Sequence, residues 1–343
     1  MATDTSSTLS SAAFAKLSPH PYLVANLQAS SPAKRINGRN PTDARPLAIN
    51  RSSLTHAHGS AVVRQGDTTV ICGVRGETLL TSQIPNYRTS LFGDDTTANT
   101  DELRDYDLLV PNIELATGCA PEFLPGVPPT TLAQTLSTRV YSLLHSSGLL
   151  DVEDLRIYNQ TEISTETDDD MQDADADAPA KEVKAYWVLY IDLLFVSLDG
   201  NPFDAAWAAV LAALRQTKLP HAYWDVDREM VLCSRETPPK SLSVSGLPVA
   251  CSAAIFTARE KLRQIQSRKA GGDNGEFWIL VDPDRFEEGL CDEVVTVVVD
   301  QADGGETKIL GLSKSGGTIV GPDIIKRFVK VAEARWQALK AVL

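Results

Sequence analysis

Several things are scarce in this 343-residue sequence, and each scarcity removes a class of protein. No apolar run approaches the ~20 residues that cross a bilayer, so no membrane partner is expected. The opening MATDTSSTLSSAAFAK is polar and holds no apolar stretch of signal-peptide length, which predicts no secretion. Cysteine is sparse and odd in number: Cys72, Cys119, Cys233, Cys251 and Cys291 show no CxxC spacing. Their mostly apolar neighbours predict reduced, buried thiols in a nuclear or cytosolic chain. Positive charge is short as well. A formal net charge of −13 argues against a free-standing nucleic-acid binder, whose affinity comes largely from Lys and Arg displacing counterions from phosphates. Part of the acidity sits in 166–177, ETDDDMQDADAD, yet the remainder is not basic either. RNA, if bound, is then held by an assembly and not by this chain alone.

Ligands for a metal are equally thin. His56 and His58 form an H-x-H, but no third or fourth ligand lies nearby at a usable spacing, and a structural role at a strand entrance fits better. In 311–321, GLSKSGGTIVG, Lys314 precedes the glycine pair, so the phosphate-cradling Gly-x4-Gly-Lys-Ser/Thr pattern is not met. No metal and no cofactor is expected. Asp192, Asp199 and Asp204 resemble a carboxylate cluster, but Asp199 precedes Gly200 in a turn and Asp204 stands where a helix N-cap is needed. Asp192 interrupts an apolar strand, where a buried carboxylate would require partners.

What is present is ordinary globular composition, 43% hydrophobic and 22% charged. Short helices are expected around Phe14–Leu17 and Pro21–Leu27, and the core from about Ala33. The run 60–74 reads as two strands around Gln65-Gly66-Asp67, a hairpin and a candidate for exposed interface surface. Residues 86–106 read as a long loop. Leu132, Leu136, Val140, Leu143 and Leu144 recur at helical spacing between a Thr cap and Gly148. The acidic segment, about 166–182, reads as a disordered loop. Residues 185–200 are nearly all apolar, as for a strand buried on both faces, and 204–215 as an internal helix. Further strands are expected at 242–256, 277–282, 293–300 and 307–317, with a charged insertion at 259–276. A last helix opens at Gly321-Pro322-Asp323 with Ile325, Phe328, Ala332, Trp336, Leu339 and Leu343 on one face. Two successive strand-then-helix halves make an α/β (α+β) protein with mixed sheets and a C-terminal helix.

The stretch 37–77 carries a G-R-x-P-x-x-x-R-P opening (Gly38, Arg39, Pro41, Arg45, Pro46 in register) and then GSAVVRQGDTTVICGV. Together with 186–214 and 315–335 it closely resembles the RNase PH family over roughly residues 33–343. The resemblance implies two similar βαβ-type halves, here 33–240 and 241–343 after an extension at 1–32, and assembly into six-membered rings. Active members of that family shorten RNA from the 3′ end with inorganic phosphate. Their phosphate-binding D-G-G-T-R loop would place Arg where Phe203 stands, and their D-A-G-x-P-x-x-D stretch would place Asp at Gln216 and Tyr223. Phe offers no N–H fork for phosphate, and neither Gln nor Tyr takes up a proton near neutral pH. The D-G-N-x-x-D-A variant resembles the non-catalytic subunits of exosome rings. That implies a structural subunit supporting 3′–5′ RNA processing and degradation (rRNA processing, surveillance, mRNA turnover) in nucleus, nucleolus and cytoplasm. Its implied partners are other RNase PH-like subunits, S1/KH-type cap subunits, and RNA through the assembled complex. Where archaeal non-catalytic relatives carry RNA-holding arginines in the first helix, Thr138, Ser142 and His145 stand here. Arg139 and Arg75 are the candidate RNA contacts. The alternatives are an active phosphate-dependent 3′–5′ exoribonuclease and a free-standing RNA-binding module.

Overall fold

The computed structural model describes residues 10–88, 102–126, 128–159, 182–258, 277–291, 293–301, 305–316 and 321–343. Two short helices come first, α1 (Ser11–Leu17) and α2 (Pro19–Gln28). The chain then enters a six-stranded sheet formed by β1 (Leu47–Arg51), β2 (Gly59–Gln65), β3 (Thr68–Leu80), β4 (Leu109–Leu115), β5 (Arg156–Tyr158) and β6 (Val183–Ser197). Its order is β1-β2-β3-β6-β4, with β5 pairing an end of β6. Only β4 runs parallel to its neighbour, because helix α3 (Thr131–Ser146) and the acidic segment intervene in sequence between β4 and β6. Helix α4 (Pro202–Leu214) follows, then the short strands β7 (Lys218–Leu219), β8 (Ala222–Asp225), β9 (Met230–Cys233) and β10 (Lys240–Ser241). The second sheet is antiparallel throughout. It consists of β11 (Val249–Thr257), β12 (Phe277–Val281), β13 (Val294–Gln301) and β14 (Thr307–Ser315) in the order β12-β11-β13-β14. Between β12 and β13 lies α5 (Arg285–Leu290), and α6 (Pro322–Val342) ends the chain.

The apolar helix expected at 204–215 is the centre of the molecule. All of α4 from Phe203 to Leu214 is buried, between β2 and β3 on one side and β11 on the other. Helix α6 packs on β11 and β13 through Phe328, Ala332, Trp336 and Leu339. One hydrophobic cluster therefore runs through both halves. The 60–74 hairpin forms as expected around Gly66 at φ +60°. It is not free edge surface, however: β2 and β3 pair on both sides, and Val63 and Val70 are buried.

Other expectations are corrected by packing. The strand β6 is buried on both faces only in its first half. From Ile191 on, Ile191, Leu193 and Phe195 point inward while Asp192, Leu194 and Val196 are exposed. Asp192 thus needs no buried partner and simply accepts from Asn112 Nδ2 at 3.3 Å. In α3 it is Ala133, not Leu132, that faces the core, since Leu132 falls outside the stripe set by Leu136, Val140, Leu143 and Leu144. The N-cap of α4 is Asn201, in a left-handed conformation, and Asp204 lies in the first turn. Residues 1–32 include an anchored element: Leu23 and Leu27 of α2 pack in a second cluster with Ala254, Phe256, Leu280 and Cys291. The end of the expected 86–106 loop is ordered, because Glu102 is buried and accepts from Arg156 Nη2 at 2.8 Å. The acidic segment 166–177, most of the loop at 86–106 and the insertion at 259–276 lie outside the described residues.

Candidate functional site

The two halves meet at the N-terminal end of α4, around one carboxylate. Asp282, fully buried at the end of β12, accepts from Arg45 N at 2.7 Å and Arg45 Nε at 2.9 Å on Oδ2. Its Oδ1 accepts from Arg45 Nη2 at 2.8 Å, Gln65 Nε2 at 2.6 Å and Asn201 Nδ2 at 2.8 Å. Burial alone would raise its pKa, but the hydrogen bonds and charge of Arg45 outweigh it and hold the carboxyl at about 2. Arg39 lies 3.6 Å away, and Arg35 donates to Val281 O at 2.6 Å. The arginines of the G-R-x-P-x-x-x-R-P opening therefore fasten the first half to the second.

The turn that would hold phosphate in an active relative is tied into this cluster. Gly200 stands at φ +74°, and a Cβ there would lie 2.6 Å from Pro283 O, so only glycine fits. The Arg45 guanidinium donates to Asp199 O and Gly200 O. The Asn201 N–H donates to Glu288 Oε1 at 2.7 Å, and burial pushes that carboxyl up to about 7. Three residues on, Asp204 Oδ2 accepts from Asn201 Nδ2 and Ser252 N, and its Oδ1 from Ser252 Oγ at 2.7 Å. Burial raises the Asp204 pKa. Ser252 Oγ lies 2.9 Å from Thr296 Oγ1, which accepts from Arg139 Nη2 at 2.8 Å.

Phe203 closes the arrangement. Its ring lies 3.9 Å beneath the Arg139 guanidinium carbon, a stacked cation–π contact. The candidate residues Phe203 and Arg139 are thus brought together, and Arg139 spends itself on Phe203 and Thr296. Gln216 and Tyr223 do not join them. Gln216 follows the far end of α4, roughly 20 Å along the axis from Phe203 at ~1.5 Å per residue, and Tyr223 sits in β8 opposite Leu232. Arg75 is separate again, on β3, ion-paired to Glu77 at 3.4 Å and 5.4 Å over the Tyr190 ring. His58 Nδ1 accepts from Gly76 N at 3.0 Å, and burial lowers its pKa. Among the described residues no three His, Cys, Asp or Glu side chains converge as a metal site.

Sequence reasoning missed Asp282, Glu288 and Ser252. The first two sit in 282-DPDRFEEG-289, where the Asp284 and Glu287 side chains cap α5 reciprocally. That capping box was the available signal for a helix there, but the link to Arg45 spans 237 residues and has no local trace.

Comparison with known proteins gives a consistent picture. The model of the 3′ exoribonuclease family, domain 1, matches residues 43–220. The exosome complex component rrp43 of Schizosaccharomyces pombe is 28% identical over 94% of this chain and 94% of its own length. The exosome complex component Rrp42 of Thermococcus onnurineus is 27% identical over 90% of this chain and 91% of its own. Among solved structures, a chain of the Archaeoglobus fulgidus exosome with RNA bound to the active site superposes with a TM-score of 0.63. It is 23% identical, over 94% of this chain and 96% of that one, and shows a shared fold. With the family model matching 43–220, more than half of its length, the chain belongs to the RNase PH-type 3′ exoribonuclease family.

Proposed function

We propose that the chain is a non-catalytic, structural subunit of an exosome ring, supporting 3′–5′ RNA processing and degradation. The observation that carries this reading is end-to-end similarity, 94% of both chains, to a protein named as an exosome complex component. Its partners are other RNase PH-like subunits in a six-membered ring, S1/KH-type cap subunits, and RNA held by the whole. It works in nucleus, nucleolus and cytoplasm. The halves 33–240 and 241–343 act as one ring segment.

Catalytic silence is supported by the chemistry at α4. Phosphorolysis needs a guanidinium free to hold phosphate, and a general acid or base beside it. Phe203 supplies no donor, and the Arg139 guanidinium is stacked on it. Gln216 and Tyr223, which the motif resemblance sets at the family's Asp positions, lie away from this turn, past the far end of α4 and on β8, so the reading rests on Phe203 and Arg139. Arg75 remains exposed and is the better RNA contact of the two arginines. The test is co-expression with RNase PH-like partners, followed by size-exclusion chromatography with light scattering and an RNA-shortening assay in phosphate. A stoichiometric ring in which this chain contributes no phosphate-dependent cleavage is expected. A monomer indifferent to those partners, or nucleoside diphosphate released by the chain alone, overturns the reading.

A further inference from the structure

Among the described residues, the edge strand of the second sheet lies beside a row of cations that make no ion pair, and the two form one surface. Strand β14 is terminal in its sheet, with no outer partner among the described residues. In the β13 ladder Val295 faces Lys314, Val297 faces Leu312 and Val299 faces Ile309. Directly opposed residues share a face, so these three β14 side chains stand on the side of the sheet that carries α6. Val295 and Phe328 line one cavity there. Yet Ile309 and Leu312 are each 53% exposed, because α6 packs mainly on β11 and β13 and meets β14 at Thr307, the strand's first residue.

The flank of α6 that borders this shelf is fixed by two hydrogen bonds. Thr307 Oγ1 donates to Glu333 Oε1 at 2.8 Å, and Gln337 Nε2 donates to Gln301 Oε1 at 2.8 Å. Lys326 and Lys330 precede Glu333 and Gln337 on the same stripe, at i, i+4, i+7 and i+11. Both are exposed, as is Arg327, and none of the three makes an ion pair or hydrogen bond among the described residues. Like charges at i, i+4 and i, i+3 repel. A chain of net charge −13 thus sets Lys326, Arg327 and Lys330 together between Asp323 and Glu333, beside a strand whose Ile309 and Leu312 are exposed.

We propose that this shelf, floored by Ile309 and Leu312 and rimmed by Lys314, Lys326 and Lys330, docks an extended acidic segment of a partner protein. The segment adds as a strand to the open edge of β14. Its alternate apolar side chains cover Ile309 and Leu312, and its carboxylates meet the lysines. Lysine also guards bare edges against self-pairing, but Lys326 and Lys330 belong to the helix and guard no edge. A nucleic acid would answer the charge alone. It would leave the apolar floor and the strand edge unused.

This inference is independent of ring membership and is tested separately. The probe is a fluorescein-labelled decapeptide of alternating Glu and Val, titrated into the full-length protein and read by anisotropy. Binding is expected to weaken at least tenfold in the Lys326→Glu/Lys330→Glu variant, and also in Leu312→Ser. A Lys/Val decapeptide should not bind. Circular dichroism melts of both variants check that these exposed changes leave the fold intact, and Lys326→Gln/Lys330→Gln repeats the test without reversing charge. The proposal is overturned if wild type ignores the Glu/Val peptide or if the lysine variants bind it unchanged. It is equally overturned if a ten-nucleotide oligouridylate binds in its place and is lost with the lysines.

Discussion

Replacing Asp282 with Asn changes almost no volume but removes the charge on which the two halves converge. The carboxyl sits at about 2 against an ordinary 3.8, and at ~1.36 kcal/mol per pH unit that gap makes the charged form worth about 2.4 kcal/mol more than a neutral one. An Asn side chain must also turn its NH2 toward donors, because both Asp282 oxygens already accept from Arg45, Gln65 or Asn201. Asp282→Asn should therefore cost about 2–3 kcal/mol, and Asp282→Ala, which leaves the Arg45 charge buried, about 3–5 kcal/mol. Urea unfolding at pH 7 measures both. The pH dependence is the sharper test. A carboxyl with a depressed folded-state pKa contributes its stability above the unfolded value and loses it as pH falls through the folded one. The gap between wild type and Asp282→Asn should thus be full at pH 7, shrink below pH 4 and be nearly closed at pH 2. A gap under ~0.5 kcal/mol at pH 7, or one unchanged from pH 7 to pH 3, would refute the reasoning.

Glu288 predicts the opposite trend. Its pKa is raised to about 7 from 4.5, so the protonated form is favoured in the fold, and that contribution is lost as pH rises from 4.5 through 7. Glu288→Gln, which still accepts from Asn201 N, should equal wild type near pH 4 and exceed it at pH 8 by up to about 3 kcal/mol in urea titrations. Gly200→Ala should lower stability by at least ~2 kcal/mol, from a left-handed φ and a Cβ driven into the Pro283 and Asp284 backbone. A thermal melt within a degree of wild type would contradict the packing at the α4 turn.

The local devices of this fold are legible in its sequence because they are short-range. Gly66 and Asp67 turn the β2–β3 hairpin, Thr130 caps α3, Pro322 opens α6, and the unbroken apolar text of 205–214 marks a helix with no solvent face. The family motifs were legible for the same reason, as contiguous strings. What the sequence left open was which partner each polar residue would meet. Asp192 reads as a buried charge but is exposed, because among the described residues no helix covers the outer face of β6 at that point. Asp204 reads as a cap but holds Ser252, since Asn201 takes the left-handed turn ahead of it. Asp282, silent in the text, becomes the hub, because only the folded chain brings Arg45, Gln65 and Asn201 around it. Phe203 and Gln216 look like two halves of one lost site, and the rigid length of α4 holds them at opposite ends. Periodicity and turn chemistry act within a few residues and survive in the sequence. Convergence on a buried charge is decided by contacts hundreds of residues apart, and only tertiary packing can select them.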